Sequence, residues 1–132
     1  MNVLLDASLP PRVARALHQL ASPSHHIEHV RDVLGNDATD QHIADYLRDR
    51  ADTVIIGIDL ENSSNPHRIQ ALLTWSVPVM QLHEDWLTLS MWDQAWQLAA
   101  QLPSIIKKVA KDGGAAVYLV PPHHAGRIRK IT

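Results

Sequence analysis

The sequence predicts an α/β domain with a central, mostly parallel sheet, helices on both faces and an antiparallel hairpin at its C-terminal end. Short apolar runs alternate along the chain with segments of helical periodicity, which is the order of βαβ units. The run at 53–58 is nearly all β-branched, as in central parallel strands covered on both faces. The 132 residues give room for one core, so we expect a single domain over 1–132.

The first half of the chain begins with alternating strands and helices. Pro10 begins the first helix, because the first helical turn needs no backbone donor. Thr39 or Asp40 caps the second helix, which continues to about Asp49. The predicted strands are Asn2–Leu5, Ile27–Val30 and Thr53–Ile58, the first helix is Pro10–Leu20, and its apolar stripe is Val13, Ala16, Leu17 and Leu20.

The second half continues the alternation and closes with two short strands. Asn62–Pro66 combines capping residues with a proline at the first helical position. Pro103 must kink or divide the long helix at Ser90–Lys111, whose predicted apolar face includes Trp92 and Trp96. The predicted elements are a helix from Pro66 to about Trp75, a strand at Val77–Leu82, the Ser90–Lys111 helix, and hairpin strands at Ala115–Val120 and Arg127–Ile131.

Composition excludes several classes of protein. The chain has no cysteine, which rules out disulfides, thiolate catalysis and cysteine-bound zinc. It has no run of about 20 apolar residues to cross a membrane and no secretory signal at its N-terminus, so we expect a cytoplasmic protein. The net charge of −2 means that any RNA contact must be local.

Positive charge is concentrated in the last quarter of the sequence. Two interpretations are equally supported: a patch that follows RNA phosphates, or a solvated helix face and a charged terminal strand. The residues are Lys107, Lys108, Lys111, Arg127, Arg129 and Lys130.

Three aspartates are candidate metal ligands. Asp6 and Asp59 each follow a predicted strand, and ligands of open parallel sheets bind where strands end. If the first and third strands are neighbours, these carboxylates meet, and Asp40 can approach from the second helix. Converging acids repel one another unless a cation is present, and Mg²⁺ or Mn²⁺ prefers such oxygen ligands. The alternative is that Asp6 and Asp59 only cap turns.

Several segments together resemble the PIN-like proteins of the DUF5615 family, which is related to the Mut7-C domain. The opening 3–11, Val-Leu-Leu-Asp-Ala-Ser-Leu-Pro-Pro, is similar to the family's Leu-Asp-Glu-Asn-Leu-Pro. His29–Val33 resembles its His-Val-Arg-Asp segment, and Asp40–Ile43 resembles its Asp-x-x-Ile helix start. Ile56–Glu61 stands in the place of its Thr-x-Asp-x-Asp motif, and 114–129 is similar to its terminal hairpin.

The resemblance implies a PIN-like three-layer fold and a metal-dependent ribonuclease, in many members the toxin of a type II toxin–antitoxin pair. By position, Asp6, Asp40 and Asp59 would be catalytic metal ligands and Glu61 a fourth acid. RNA, a cognate antitoxin and a second copy of the chain are the candidate partners. The departures are Ala7 for an acid, Ser8 for Asn, Gly57 for Thr, Glu61 for Asp and Asn62 for an aromatic residue.

These departures leave a second function open, a catalytically inactive PIN-like module that binds protein or RNA, because lost supporting groups can cost about 10- to 100-fold in metal affinity or activity. A receiver-like signalling domain is a third reading, since Asp59 ends a third strand. It fits poorly, because Asp6 is not followed by a second acid and no lysine follows Val77–Leu82.

Other side chains are weaker candidates for functional residues. The histidines admit a zinc site, but without HExxH or cysteine we expect surface or loop positions; the candidates are His25, His26, His29, His123 and His124. His83–Asp85 is interpreted as an ordinary turn that could also line the crevice. Trp92 and Trp96, four residues apart, are expected in the core rather than against RNA bases. Arg12, Arg15 and Arg31 flank the crevice as candidate RNA contacts.

Overall fold

The structure, a computed structural model, describes residues 1–50, 52–58, 66–122 and 127–132. The strands are β1 (Asn2–Leu5), β2 (His26–His29), β3 (Thr53–Ile58), β4 (Val79–Leu82), β5 (Val117–Val120) and β6 (Arg129–Lys130). The helices are α1 (Pro11–Ala21), α2 (Val30–Leu34), α3 (Asp40–Leu47), α4 (Pro66–Leu73) and α5 (Met91–Asp112), with a 3₁₀ helix at Glu84–Thr88.

The six strands form one sheet in the order β2-β1-β3-β4-β5-β6. The first five are parallel, and β6 pairs antiparallel with β5. This confirms the predicted α/β fold with its antiparallel C-terminal pair. We call the edge where β1–β5 end the carboxyl edge, and the edge where they begin the amino edge.

Alternating strand residues divide the core into two layers. In β1, Val3 and Leu5 pack with α1 and α5, whereas Leu4 faces the layer that contains α3 and α4. All six residues of β3 are buried, as expected for a central parallel strand with helices on both sides. The sheet therefore holds residues at the carboxyl edge on a fixed support.

Helix α5 differs from its predicted packing. It is one continuous helix with Pro103 inside it. Trp92 and Trp96, expected in the core, are 80% and 48% exposed. Leu102 and Val109 of the predicted stripe are buried as expected, but the rest of the buried face lies away from the tryptophans, at Gln94, Gln97, Leu98 and Ile105. The prediction was wrong because Gln94 is accommodated by a hydrogen bond from its Nε2 to the Trp86 carbonyl (3.1 Å), which periodicity does not reveal.

Smaller differences have local causes. Leu20 is 74% exposed, and Ala14 rather than Ala16 is buried in α1. Strand β2 ends at His29 rather than Val30, because the His29 side chain accepts a bond from the Arg31 N–H and starts α2. Thr39 caps α3 as predicted, in a reciprocal capping box with His42. Within the described ranges, no helix has the length and apolar character needed to cross a membrane.

Candidate active site at the carboxyl edge

Asp6 follows β1 at the carboxyl edge, beside the last residues of β3. The two strands are parallel neighbours with Leu5 opposite Ile56, as the crevice hypothesis required. The Asp6 N–H donates to the Ile56 carbonyl at 2.9 Å, which continues the pairing by one residue. Asp6 is therefore level with Gly57 and lies at the expected position in the sheet.

The Asp6 carboxylate is fixed by a hydrogen bond from its own loop and occupies space that a side chain at position 57 would fill. Its Oδ1 accepts a hydrogen bond from the Ser8 N–H at 2.9 Å, an arrangement typical of an Asx turn. A Cβ added to Gly57 would lie 2.4 Å from Oδ2, well inside van der Waals contact. Glycine at position 57, a departure from the resembling family, is thus the residue that this carboxylate orientation requires.

Ser8 joins the loop after β1 to the end of β3. Its Oγ accepts a hydrogen bond from the Ile58 N–H at 2.8 Å. The Asp6 carboxylate accepts from the Ser8 backbone, so one serine connects the carboxylate to both strands. The hydroxyl supplies the acceptor that the last amide of β3 needs at the carboxyl edge.

His29 and Arg31 fasten the same loop from β2 and α2. The Arg31 N–H donates to His29 Nδ1 at 3.0 Å, so the ring proton is on Nε2, which donates to the Leu9 carbonyl at 2.6 Å. The Arg31 guanidinium Nη2 donates to the Ala7 carbonyl at 3.1 Å. His29 is fully buried, which corrects the expectation of a surface or loop position.

Gln81 is a site residue that sequence reasoning missed. It lies opposite Gly57 in the β3–β4 register, and strand alternation places it on the same face of the sheet as Gly57. It is 3% exposed within an otherwise apolar strand. A lone glutamine in the sequence Val-Met-Gln-Leu near a strand end was the available signal, because buried amides need polar neighbours.

The remaining predicted acids are only partly described. Asp40 is the first residue of α3 and is exposed, at a helix N-terminus where a carboxylate is favoured. Asp59 and Glu61 lie outside the described residues. In the described part of the chain, His, Asp and Glu side chains form no group of three or more able to hold a metal ion.

Two of the three candidate RNA-binding arginines have partners within the protein. Arg15 Nη2 pairs with Asp32 Oδ1 at 2.9 Å, and Arg31 contacts the Ala7 carbonyl. Arg12 is exposed in the first turn of α1, directly after the loop that carries Asp6. Among these three arginines, Arg12 is therefore the best placed to contact an RNA phosphate near Asp6.

Much of the C-terminal basic cluster lies away from Asp6, around Asp112 at the amino edge. Asp112 accepts a hydrogen bond from the Tyr118 hydroxyl at 2.9 Å and pairs with Lys108 at 3.5 Å. The Tyr118 bond, opposed by desolvation and assisted by Lys108 and Lys130, lowers the Asp112 pKa. Burial, followed by the bond to Asp112, raises the Tyr118 pKa to about 12.

The amino edge also contains a groove of about 760 Å³ between α3 and the end of α4. Its lining includes Arg48, Asp52, Trp75 and Ser76, and none of the predicted site residues. Asp52 and Ser76 have φ angles of 61° and 60°, in the left-handed region that non-glycine residues seldom adopt. The groove is thus separate from the carboxyl edge where Asp6 lies.

A parallel α/β sheet with an aspartate at its carboxyl edge is shared by several families, so the family is identified by comparison. Residues 1–84, more than half of the chain, match the family model described as PIN-like domain. The chain belongs to the PIN-like domain family. Helix α5 and strands β5 and β6 follow the matched range and complete the sheet. Comparisons with curated proteins and with solved structures gave no significant match.

Proposed function

We propose that this protein is a metal-dependent ribonuclease of PIN-like type. Asp6, Asp40 and Asp59 would be the catalytic carboxylates that hold Mg²⁺ or Mn²⁺, with Glu61 as a fourth ligand. The observation that supports this most is the Asp6 carboxylate, fixed by the Ser8 amide beside a position that admits only glycine. A rigid carboxylate at the end of neighbouring parallel strands is a suitable oxygen ligand for a hard cation.

The proposed chemistry is phosphodiester hydrolysis. A bound divalent ion would lower the pKa of a coordinated water and stabilise charge on the leaving oxygen. The chain itself would fix Asp6 through Ser8, support the loop through His29 and Arg31, and offer the exposed Arg12 to an RNA phosphate. The hydrogen bonds from His29 and Arg31 go to the Leu9 and Ala7 carbonyls, so these two side chains hold the loop rather than the carboxylate.

An RNA-cleavage assay with purified protein tests this function. We expect Mn²⁺- or Mg²⁺-dependent cleavage of single-stranded RNA, abolished by EDTA and lowered more than about 100-fold by Asp6→Asn, since this variant removes a ligand charge. Leu20→Ala is the control, because Leu20 is exposed and lies at the end of α1 far from the Asp6 loop. A protein that neither cleaves any RNA nor binds Mn²⁺, with Asp6→Asn indistinguishable from wild type, contradicts the proposal.

The biological role that fits this activity is that of the toxin in a type II toxin–antitoxin pair in the cytoplasm. The toxin would be a single PIN-like domain over 1–132, related to the DUF5615 family and to the Mut7-C domain. The support is the resemblance of 3–11, 29–33, 40–43 and 56–61 to that family. The partners would be RNA, a cognate antitoxin and a second copy of the chain. Induced expression should arrest growth for the wild type and not for Asp6→Asn, and co-expression of the adjacent gene should restore growth.

The second candidate is a catalytically inactive PIN-like module that binds RNA or protein. Ala7 in the place of an acid favours it. Retained RNA or partner binding by Asp6→Asn/Asp59→Asn, without metal dependence and without cleavage by the wild type, would favour this function over the nuclease.

A further inference from the structure

The outward face of α5 has an unusual composition for a solvent-exposed helix. Trp92 is 80% exposed and Trp96 48% exposed, although large aromatic side chains are usually buried. The opposite face of α5 packs on the sheet through Leu98, Ile105 and Val109. The tryptophans therefore contribute little to the core, and their exposure needs another explanation.

The two indoles lie close together on the helix, and a hydrogen bond restrains one of them. They lie four residues apart, about 6 Å along the helix axis, on the same side of α5. The Trp96 Nε1 donates to Asp93 Oδ1 at 3.0 Å, which restrains the orientation of its ring. A restrained indole on a rigid helix is suited to flat ligands, because little side-chain entropy is lost when it binds.

The same helix face becomes basic toward its C-terminus. Helical periodicity places Lys107 and Lys111 on the side of Trp92 and Trp96, and both lysines are exposed. Within the described residues neither has a carboxylate partner, whereas the more buried Lys108 pairs with Asp112. Two unneutralised cations thus extend the aromatic pair along one line.

We propose that this outward face of α5 is a binding surface for single-stranded RNA. Trp92 and Trp96 would stack on bases, and Lys107 and Lys111 would pair with phosphates, the combination used to bind single strands without sequence preference. The choice of RNA rests on the proposed function. Because α5 follows β4 through the 3₁₀ helix, its tryptophans lie toward the carboxyl edge and its lysines toward the amino edge. Bound RNA would thus run toward the edge that carries Asp6.

Area and charge favour RNA over a protein partner. Each partner of a stable protein interface contributes about 800 Å², whereas two partly exposed tryptophans supply at most about 250 Å² each. The adjacent lysines would also need neutralisation in an apolar interface, but they are complementary to a phosphate backbone. The surface is a narrow line on one helix, which suits a single strand.

Binding to fluorescein-labelled oligouridine in EDTA tests this surface without cleavage. We expect Trp92→Ala and Trp96→Ala each to weaken binding by about fivefold or more, the lower limit for loss of one stacked base. Replacing Lys107 and Lys111 by alanine should reduce the slope of log affinity against log salt by about 0.7 for each lysine. The matched controls are Leu20→Ala for an exposed apolar residue and Arg48→Ala for an exposed cation at the C-terminal end of α3.

The outcomes separate this surface from the active site. Trp92→Ala should weaken oligouridine binding by the same factor in the wild-type and Asp6→Asn backgrounds, because stacking on α5 does not use the metal ligand. Equal affinity of Trp92→Ala and wild type would overturn the proposal, even if RNA is still cleaved. So would dimerisation of the wild type that Trp92→Ala abolishes, since the tryptophans would then face a second copy. Oligouridine binding by this face in a protein that cleaves no RNA would support the surface and refute the nuclease.

Discussion

The two edges of the parallel sheet are built differently. At the carboxyl edge, the loop after β1 is fastened by side-chain hydrogen bonds from Ser8, His29 and Arg31. At the amino edge, Asp52 and Ser76 precede strands β3 and β4. Both residues have left-handed backbone conformations, and both line the groove. The groove therefore lies at the opposite edge of the sheet from the tightly specified Asp6 loop. Precision of side-chain placement, rather than groove volume, marks the candidate site.

The comparison also separates two kinds of polar interaction. At the carboxyl edge, uncharged side chains and Arg31 form hydrogen bonds with backbone groups, and these bonds fix one loop conformation. The amino edge contains the charged pair of Asp112 with Lys108 and the Tyr118 hydroxyl, which titrates only at high pH. If this distinction is correct, substitutions that disturb the Asp6 loop should change activity, and substitutions around Asp112 and Ser76 should change stability alone.

Among substitutions that keep the Asp6 carboxylate, the largest effect is expected for Gly57→Ala. Its Cβ would lie 2.4 Å from Asp6 Oδ2, so the carboxylate must rotate away from its bond with Ser8. We expect cleavage to fall about 10- to 100-fold, as for other losses of support around metal ligands. Cleavage kinetics and Mn²⁺ titration measure the effect, and circular dichroism checks the fold. Wild-type activity in a folded Gly57→Ala protein would mean that the Asp6 orientation is unimportant.

His29→Ala should destabilise the protein and the Asp6 loop together. It removes the donor to the buried Leu9 carbonyl and the acceptor for the Arg31 N–H, which we expect to cost about 2 kcal/mol in the free energy of unfolding. Urea denaturation measures that loss. His29→Gln can restore the bond to Leu9 and should recover part of it. Equal stability of all three proteins would show that the loop is held by other contacts.

The amino edge should respond to alkaline pH through Tyr118, whose pKa is raised to about 12. Because the folded state holds the phenolic proton more tightly, this contribution is complete below pH about 10 and is lost as pH rises toward about 12. We expect Tyr118→Phe to make unfolding free energy less pH-dependent in that window. The Tyr46 hydroxyl donates a hydrogen bond to Glu28, and the Tyr46 pKa is also raised to about 12. Tyr46→Phe is the matched comparison and should reduce the pH dependence of the unfolding free energy in the same window. An unchanged pH dependence in both variants would contradict this assignment.

The smallest effect is expected for Ser76→Gly at the amino edge. Ser76 has φ 60°, a conformation that costs a non-glycine residue about 1–2 kcal/mol, partly offset by the greater flexibility of glycine in the unfolded chain. We expect a gain of about 0.5 kcal/mol in stability and unchanged RNA cleavage. Thermal unfolding and the cleavage assay measure the two quantities. A change in cleavage would link the amino edge to activity.

Most of the fold could be predicted from the sequence, because its signals are local. Strands Asn2–Leu5 and Thr53–Ile58 have the predicted limits, and Thr39 caps its helix as expected. The position of Asp6 followed from the general rule for parallel sheets. The error in α5 has the same origin: periodicity counted Trp92 and Trp96 as core, whereas the core accommodates Gln94 through a hydrogen bond to the Trp86 carbonyl.

The details of the candidate site depend on contacts between distant segments. His29 meets Leu9, and Ser8 meets Ile58, across 20 and 50 residues of sequence. No local pattern indicates that Gly57 makes room for the Asp6 carboxylate, so its difference from the resembling family seemed only a loss. In the structure, Gly57 and Ser8 are mutually consistent with one carboxylate orientation.

A crystal structure of the protein soaked in MnCl₂, with anomalous diffraction data, tests the central claim most directly. The account predicts an anomalous peak at the carboxyl edge about 2.1 Å from an Asp6 carboxylate oxygen, a distance typical of small hard cations, and no such peak in Asp6→Asn crystals. A well-ordered carboxyl edge without a peak at Asp6, or a manganese ion only in the amino-edge groove, would contradict it.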